Sequence, residues 1–129
     1  MATAGHSTRT GDIREVALPD GTRVVLASAS AIDVQFDERE RLLILRTGEV
    51  LVTTAPDSAG QARPFRVRSR DGVVQALGTR FSLRQDDASS SVAVFEGAVE
   101  VRPTYANAGV MRIDAGPVSY THLRAHETK

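Results

Sequence analysis

The stretch Val16-Ala-Leu-Pro-Asp-Gly-Thr-Arg-Val-Val-Leu26 places two apolar, β-favouring runs on either side of a Pro-Asp-Gly turn. Pro19 presets φ for the first turn position, Asp20 can accept a hydrogen bond from its own backbone, and Gly21 supplies a positive φ. Two such runs joined by such a turn form a β-hairpin. The stretch therefore predicts that the chain is built from β-strands.

Short β-favouring runs separated by Gly, Pro, Asp or Ser continue along most of the chain. Apolar and charged residues alternate most clearly in 32–36 and 98–102, as in a strand with one wet face. We therefore predict an all-β domain of two stacked, mostly antiparallel sheets of about ten short strands, as a sandwich or a solenoid-like stack. The predicted strands are 13–18, 23–28, 31–36, 41–46, 49–54, 65–69, 73–77, 80–85, 91–95, 98–102 and 110–114.

The apolar residues on the inner faces of these strands are expected to form a single core. The expected core residues are Val24, Leu26, Ile32, Val34, Phe36, Leu43, Leu45, Val50, Val52, Phe65, Val67, Val74, Leu77, Phe81, Val94, Val99 and Val101. Edge strands of such sheets expose unpaired backbone groups, so we also predict weak strand-edge association, with a second copy or with a neighbouring domain.

Glycines recur in the chain at similar intervals and suggest either repeated units or regularly spaced hairpins. Gly21, Gly48, Gly72 and Gly97 are 24 to 27 residues apart, and each precedes a valine-rich run. Gly78 is different, because it interrupts a strand-forming run. We predict that its backbone has positive φ or lies too close to another segment for a Cβ, most simply at a bulge that turns the chain between sheets.

Three segments are expected along the chain. Residues 1–11 are small and polar and are predicted to be a disordered leader. Residues 12–116 carry the β pattern and form the predicted domain. Residues 117–129 are predicted to be an unstructured tail, and 118–129 resemble a translated sequencing adapter rather than a natural sequence.

Composition excludes several classes of function for this chain. Sixteen basic and sixteen acidic residues cancel, which gives no electrostatic case for nucleic-acid binding. The chain has no cysteine, so it has neither disulfides nor thiolate chemistry. No run approaches the ~18 apolar residues of a membrane-spanning helix, and no signal peptide is visible at the start.

The residues that most often carry chemistry do not form a catalytic or metal-binding pattern. His122 and His126 have the i, i+4 spacing of a metal pair, but they lie in the tail. The acidic clusters are expected to be solvated turns, and the serines at 89–91 have no histidine nearby to activate them. We therefore predict no catalytic, metal-binding or cofactor-binding residue, no cofactor and no enzyme activity. The acidic residues concerned are Asp37, Glu38, Glu40, Asp86 and Asp87.

Taken in order, the first hairpin and the later runs 30–36, 45–52, 63–67, 76–81 and 94–101 resemble the FecR domain, the sensor module of bacterial anti-sigma regulators. The resemblance extends from about Asp12 to Gly116. Most matched residues are expected to be turn and core residues, and Arg46 with Glu49 to be a structural pair. The matched positions are Leu18, Pro19, Asp20, Gly21, Val24, Leu45, Arg46, Gly48, Glu49, Pro64, Phe65, Val67, Leu77, Gly78, Thr79, Phe81, Glu96, Gly97, Val99, Ala115 and Gly116.

The resemblance implies a non-catalytic sensor and signal-relay domain in the periplasm. It belongs to a single-pass inner-membrane regulator of an extracytoplasmic-function sigma factor, often one that controls iron-siderophore uptake. Its implied partners are an outer-membrane receptor signalling domain and the sigma factor. Both are reached through parts of the parent protein, the membrane anchor among them, that we expect outside this sequence. The alternative is a cell-envelope binding or scaffold domain, such as one that binds glycans.

Overall fold

The computed structural model describes residues 2–56, 63–104, 109–116 and 120–123. This part of the chain is all-β and contains no helix, which confirms the predicted class. No helix long and apolar enough to cross a membrane is found among these residues. The strands are β1 (Ala2–Ser7), β2 (Arg14–Ala17), β3 (Arg23–Leu26), β4 (Ala31–Phe36), β5 (Arg41–Thr53), β6 (Phe65–Ser69), β7 (Gly72–Ala76), β8 (Arg80–Gln85), β9 (Ser90–Glu96), β10 (Ala98–Pro103), β11 (Met111–Asp114) and β12 (Tyr120–Leu123).

Strand β5 is the centre of the fold because it pairs with four other strands. Its first half pairs antiparallel with β4 and parallel with β6. Its second half pairs antiparallel with β3 and β8. The sequence predicted two strands here, 41–46 and 49–54, whereas the structure has one continuous strand of 13 residues. Gly48, which resembles a hairpin glycine in the sequence, instead lies within the strand with φ of 90°.

The pairing divides the strands into two groups that share β5. The first group runs β1-β4-β5-β6-β7-β10-β11, and the second runs β2-β3-β5-β8-β9-β12. All neighbours are antiparallel except β5 and β6. Hydrogen bonding is therefore continuous from one group to the other through β5. The predicted arrangement of two separate, stacked sheets stays a prediction.

One hydrophobic core receives side chains from both groups. Ile32, Leu43 and Val67 enter it from the first group, and Val24 and Phe81 from the second. Of the predicted core residues, all but two are buried. Phe36 is only partly buried against the core.

Leu77 was predicted to be buried, and this is wrong, because the residue is 37% exposed. The reason is that β7 ends at Ala76, one residue before it. Leu77 therefore no longer follows the inward and outward alternation of the strand.

The structure differs from the prediction at both ends of the chain. Residues 2–7, expected in a disordered leader, form β1 and pair antiparallel with β4. Tyr120–Leu123, within the predicted unstructured tail, form β12 and pair with β9. Both segments lack a strong strand pattern, but strand pairing uses backbone groups that every sequence carries. Residues 117–119 and 124–129 lie outside the described residues.

Gly78 has φ of 70°, one of the two alternatives that the sequence predicted, and a Cβ there would meet nothing within 4 Å. It lies between β7 of the first group and β8 of the second. The bend therefore carries the chain from one group of strands to the other. The pairing of β8 with β9 shifts register close by, between Arg80 and Phe81.

Candidate functional site

The first of three corners built from the motif residues is the Pro-Asp-Gly turn between β2 and β3. The Leu18 amide donates to the Thr22 carbonyl at 2.8 Å, and the Gly21 amide donates to the Leu18 carbonyl at 3.0 Å. Leu18 is buried, whereas Pro19 is exposed. Gly21 takes a φ of 92°, a value that glycine adopts without a steric penalty.

The Asp20 side chain in this turn is buried and forms an ion pair. Its carboxylate accepts hydrogen bonds from the Thr22 amide at 2.9 Å and the Thr22 hydroxyl at 2.8 Å. The Arg41 guanidinium donates to the same carboxylate at 2.7 Å. The two side chains are only 2% and 9% exposed. Because both oxygens of the buried Asp20 carboxylate have partners, one of them the Arg41 guanidinium, the turn is locked to the start of β5.

Arg41 also connects this corner to the segment before β6. Its guanidinium donates to the carbonyls of Arg63 and Ala55, each at 2.9 Å, and lies 5.5 Å from the ring centroid of Phe65. The Arg41 amide donates to the Pro64 carbonyl at 2.8 Å. Arg41 was not among the site residues predicted from the sequence. The signal was present, because a single arginine opens the otherwise apolar run 41–45.

The second corner joins Gly48 and Glu49 of β5 to Ser30. The Ser30 hydroxyl is buried, accepts from the Glu49 amide at 2.9 Å and donates to the Glu49 carbonyl at 3.1 Å. A Cβ on Gly48 would lie 2.7 Å from the Ser30 Cα, so only glycine fits. The expected pair of Arg46 with Glu49 is wrong, because Arg46 forms its ion pair with Asp33 on β4. Register explains this, since the first half of β5 lies beside β4.

The third corner brings the bend at Gly78 against the hairpin between β9 and β10. The Thr79 hydroxyl donates to the Ala98 carbonyl, which also accepts from the Leu77 amide at 3.0 Å. A Cβ on Gly97 would lie only 2.0 Å from the Gly78 carbonyl oxygen. Phe81 then points into the core and is fully buried. Motif residues that are far apart in the sequence thus meet at this corner.

Glu96, also in this hairpin, lies on the surface of the third corner. It faces Arg80 at 3.9 Å, and the two side chains are 71% and 48% exposed. An ion pair this open contributes little to stability.

A fourth polar cluster, missed by the sequence analysis, lies between the β6–β7 turn and β9. The Ser90 hydroxyl donates to the Asp71 carboxylate at 2.7 Å and bonds with the Ser69 hydroxyl at 3.1 Å. Arg70 binds the same carboxylate with two nitrogens, at 2.8 and 3.1 Å, and Asp71 raises the pKa of Arg70 above its ordinary value. Ser90 belongs to the serine run considered above as a nucleophile. Its hydroxyl is held by an aspartate and a serine, and neither of these partners is the histidine that commonly activates a serine nucleophile.

The acidic clusters form turns between strands. The Asp37 carboxylate accepts from the amides of Arg39 and Glu40 at 2.7 and 2.9 Å, which lowers the pKa of Asp37. The Asp86 carboxylate pairs with Arg84 at 2.9 Å, and its amide donates to the Ser89 carbonyl at 2.7 Å. Within the described residues, no three His, Asp or Glu side chains are grouped so that they could hold a metal ion.

A groove of about 350 Å³ lies on the outer face of β6, β7 and β10. Arg66, Gln75 and Glu100 are register partners across the three strands and line the groove together. Arg66 donates to the Gln75 side chain at 3.1 Å and to Glu40 at 3.0 Å. Arg102 adds a second guanidinium beside Glu100. Cations, a carboxylate and an amide can bind a polar ligand through hydrogen bonds, but they supply neither a nucleophile nor a paired acid and base.

Two crystal structures of a candidate anti-sigma factor from Parabacteroides distasonis ATCC 8503 share this fold. The 2.50 Å structure is 27% identical in sequence and has a TM-score of 0.81. The match covers 99% of this chain and 58% of the chain in that structure. The 1.65 Å structure is 28% identical in sequence and has a TM-score of 0.81. The match covers 98% of this chain and 57% of the chain in that structure. The chain thus spans less than two thirds of these structures. No curated protein matches it.

The family model described as FecR protein matches residues 4–100, which include all three motif corners. The match covers well over half of the chain, and the similar crystal structures have the same all-β fold. The chain therefore belongs to the FecR protein family.

Proposed function

We propose that this domain is a non-catalytic sensor and signal-relay module in the periplasm, part of a membrane-anchored regulator of an extracytoplasmic-function sigma factor. The observation that carries the proposal is the family match over residues 4–100, together with the shared fold of a candidate anti-sigma factor over 98–99% of this chain. The polar corners support a rigid relay, because each fixes a turn to a strand distant in sequence.

The partners proposed for the parent protein are a sigma factor and the signalling domain of an outer-membrane receptor, with iron-siderophore uptake as the regulated process. Neither contact needs a residue of this domain. The domain would instead hold the parts that make these contacts at a fixed geometry. Strand-edge association, with a second copy or a neighbouring domain, is the contact proposed for the domain itself.

Deleting residues 12–116 from the full-length regulator tests this function. We expect the target genes to lose their response to the inducer while the regulator still reaches the membrane. A matched control replaces Arg23, which is exposed in a loose pair with Glu15, by Ala and leaves the response intact. Normal induction by the deletion variant would contradict the proposal.

A cell-envelope binding domain is the second candidate, and the groove on β6, β7 and β10 favours it. Its guanidinium, carboxylate and amide groups suit a hydroxyl-rich ligand such as a glycan. Arg102→Ala should then weaken binding to peptidoglycan or to a glycan array at least tenfold. If the unmodified domain binds no glycan, this candidate is excluded.

A further inference from the structure

The outer side of β6 carries three arginines in alternation, Arg66, Arg68 and Arg70, which we call the arginine ladder. Between them lie Val67 and Ser69, which are both buried. Because successive side chains of a strand point to opposite faces, the ladder side chains share the outer face. Arg70 follows β6 directly, and it lines a hollow of about 260 Å³ together with Arg68. Neighbouring steps of the ladder are about 6.6 Å apart along the strand.

The two ends of the ladder are neutralised by carboxylates, whereas its middle is not. Arg66 donates to Glu40 at 3.0 Å, and Arg70 donates to Asp71 at 2.8 Å. The Arg68 side chain is exposed and forms no ion pair or hydrogen bond with any of the described residues. The positive charge of the ladder is therefore open to a partner at Arg68.

A second guanidinium of this kind lies two strands away, at Arg102 of β10. Val73 of β7 lies opposite Arg68 on one side and opposite Arg102 on the other. Arg102 is exposed and likewise has no side-chain partner in the described part of the chain. Residues 103–111, which follow it, contain no acidic residue. With strands about 5 Å apart, the two arginine Cα atoms are about 10 Å apart, and their long side chains can meet over Val73.

This open pair of charges differs from the arrangement elsewhere on the strands. Arg23, Arg46 and Arg80 each form an ion pair with a carboxylate of the neighbouring strand. Two like charges that face each other without a counter-charge repel. An anion placed over Val73 is attracted by both guanidinium groups and removes that repulsion.

The surface around Val73 is shallow and partly apolar. Val73 is half-buried, Val110 is 52% exposed, and both line the groove with Gln75. Glu100 lies opposite Gln75 and is the carboxylate of the groove. An aliphatic stem can therefore lie on Val73 while its charged end reaches the arginines.

The spacing of the ladder matches an extended peptide. Alternate residues of any extended chain point to the same side and are about 6.6 Å apart, which is the step of the ladder. A segment with acidic residues at alternate positions thus presents one carboxylate to each arginine. Arg66 and Arg70 can take part although they are paired, because a guanidinium has five N–H donors.

We propose that the outer face around Arg68 and Arg102 is a docking site for an acidic, extended segment of a partner protein. Its carboxylates bind the two unpaired guanidinium groups over Val73, and neighbouring carboxylates bind the ends of the arginine ladder. The contact uses a sheet face and side chains. It is therefore separate from the strand-edge association proposed above, which uses backbone groups.

Two synthetic peptides of equal composition and charge test the spacing on the full 129-residue chain. In one peptide, three glutamates alternate with three threonines; in the other, the three glutamates precede the three threonines. Threonine favours an extended backbone in both. Titrations followed by amide chemical shifts should show at least fivefold tighter binding of the alternating peptide at low salt, with shifts centred on Val73. Equal affinities, or no binding of either peptide, would overturn the proposal.

Paired substitutions test the site itself. Arg68→Gln with Arg102→Gln should weaken binding of the alternating peptide at least fivefold. Arg14→Gln with Arg39→Gln is the matched control, because it also removes two exposed positive charges but lies outside this face. It should change the affinity less than twofold. All four side chains are exposed, so both variants should fold, which their amide spectra check. Equal weakening by the two variants would mean that only net charge attracts the peptide, and it would overturn the site.

A third ligand distinguishes a protein partner from an acidic glycan. Trigalacturonate carries three carboxylates, like the alternating peptide, but on sugar rings. We expect it to bind more weakly than the peptide, and tighter binding would assign the face to a glycan and overturn the protein partner. Regulation of the sigma factor is tested separately by the deletion of residues 12–116, so either proposal can fail without the other.

Discussion

Two glycines in contact at the third corner, Gly78 and Gly97, have similar backbone angles but different surroundings. Their φ values are 70° and 75°, and both disfavour a side chain. A Cβ on Gly78 would enter open space, whereas one on Gly97 would meet the Gly78 carbonyl at 2.0 Å. The penalty at Gly78 is therefore conformational, while Gly97 adds a steric clash with backbone that has no freedom to move.

We expect Gly78→Ala to destabilise the domain by about 1–2 kcal/mol, and Gly97→Ala by about 1–3 kcal/mol more. Gly78→Val should cost well over about 1 kcal/mol, although valine is the better strand former, because β-branched side chains fit positive φ worst. Urea midpoints of the three variants measure these differences. Equal midpoints for Gly78→Ala and Gly97→Ala would contradict the close approach at Gly97.

The buried pair of Asp20 and Arg41 should be far more sensitive than an exposed one. Arg41→Met leaves the Asp20 carboxylate buried without its cation, and we expect a loss of about 3–5 kcal/mol in the free energy of unfolding. Arg23→Met removes a pair whose side chains are 71% and 56% exposed, so it should cost under about 1 kcal/mol. Chemical denaturation compares the two variants. Similar losses would mean that burial does not decide the strength of these pairs.

Asp37 should make stability depend on acid pH. Two backbone amides hold the pKa of Asp37 below its ordinary value of 3.8. The folded state therefore favours the carboxylate, and its contribution is present above pH 3.8 and is lost as the pH falls through the lowered pKa. The Asp37→Asn variant should have a lower free energy of unfolding than the parent at about pH 7, and this difference in stability should be smaller at about pH 3. Thermal unfolding at the two pH values checks it, and a gap independent of pH would contradict it.

At the scale of strands, the link between the β6–β7 turn and β9 depends on one hydroxyl. Ser90→Ala removes a donor from the buried Asp71 carboxylate, which should cost about 1–3 kcal/mol. Ser82→Ala on the neighbouring strand is the matched control, because Ser82 is only half-buried, and its change should stay within about 0.5 kcal/mol. Urea unfolding of the two variants measures both losses of stability. A Ser90→Ala domain as stable as the control would show that the cluster is incidental.

The strands could be predicted where alternation and turn residues agree, as in the hairpin at Asp20 and the run 98–102. They could not be predicted where pairing depends only on backbone groups, as in β1. Gly48 shows a second limit, since a positive φ produces a hairpin or a bend within a strand according to what lies beside it. Ser30 decides the outcome, and its approach to Gly48 is a tertiary contact without a local pattern.

The motif residues show the same contrast between local patterns, which the sequence reveals, and contacts between distant residues, which it does not. The sequence predicted that Asp20 and Gly21 make a turn, and they do. It did not predict that Arg41 would enter the same corner, because the two residues are 21 positions apart and only the folded chain brings them together. Leu77 was misplaced for the opposite reason. Its local pattern suggested a strand, but the strand ends one residue earlier.

At the scale of the whole molecule, β5 makes the domain a single cooperative unit. Each half of β5 pairs with two strands, and the core collects side chains from both groups. Loss of either group would expose the core of the other. The strands that carry the corners are therefore joined by one core and by continuous strand pairing through β5.

The single-neighbour strands at the two ends of the described chain have a mechanical consequence. Strand β1 pairs only with β4, and β12 only with β9, whereas β5 is held by four strands. Under tension applied at residues 2 and 123, we expect β1 and β12 to detach first and to lengthen the tether while the core survives. Pulling with optical tweezers should show small extensions at low force before the main rupture. A single rupture would contradict this order. The load would then reach the core only after both terminal strands have detached.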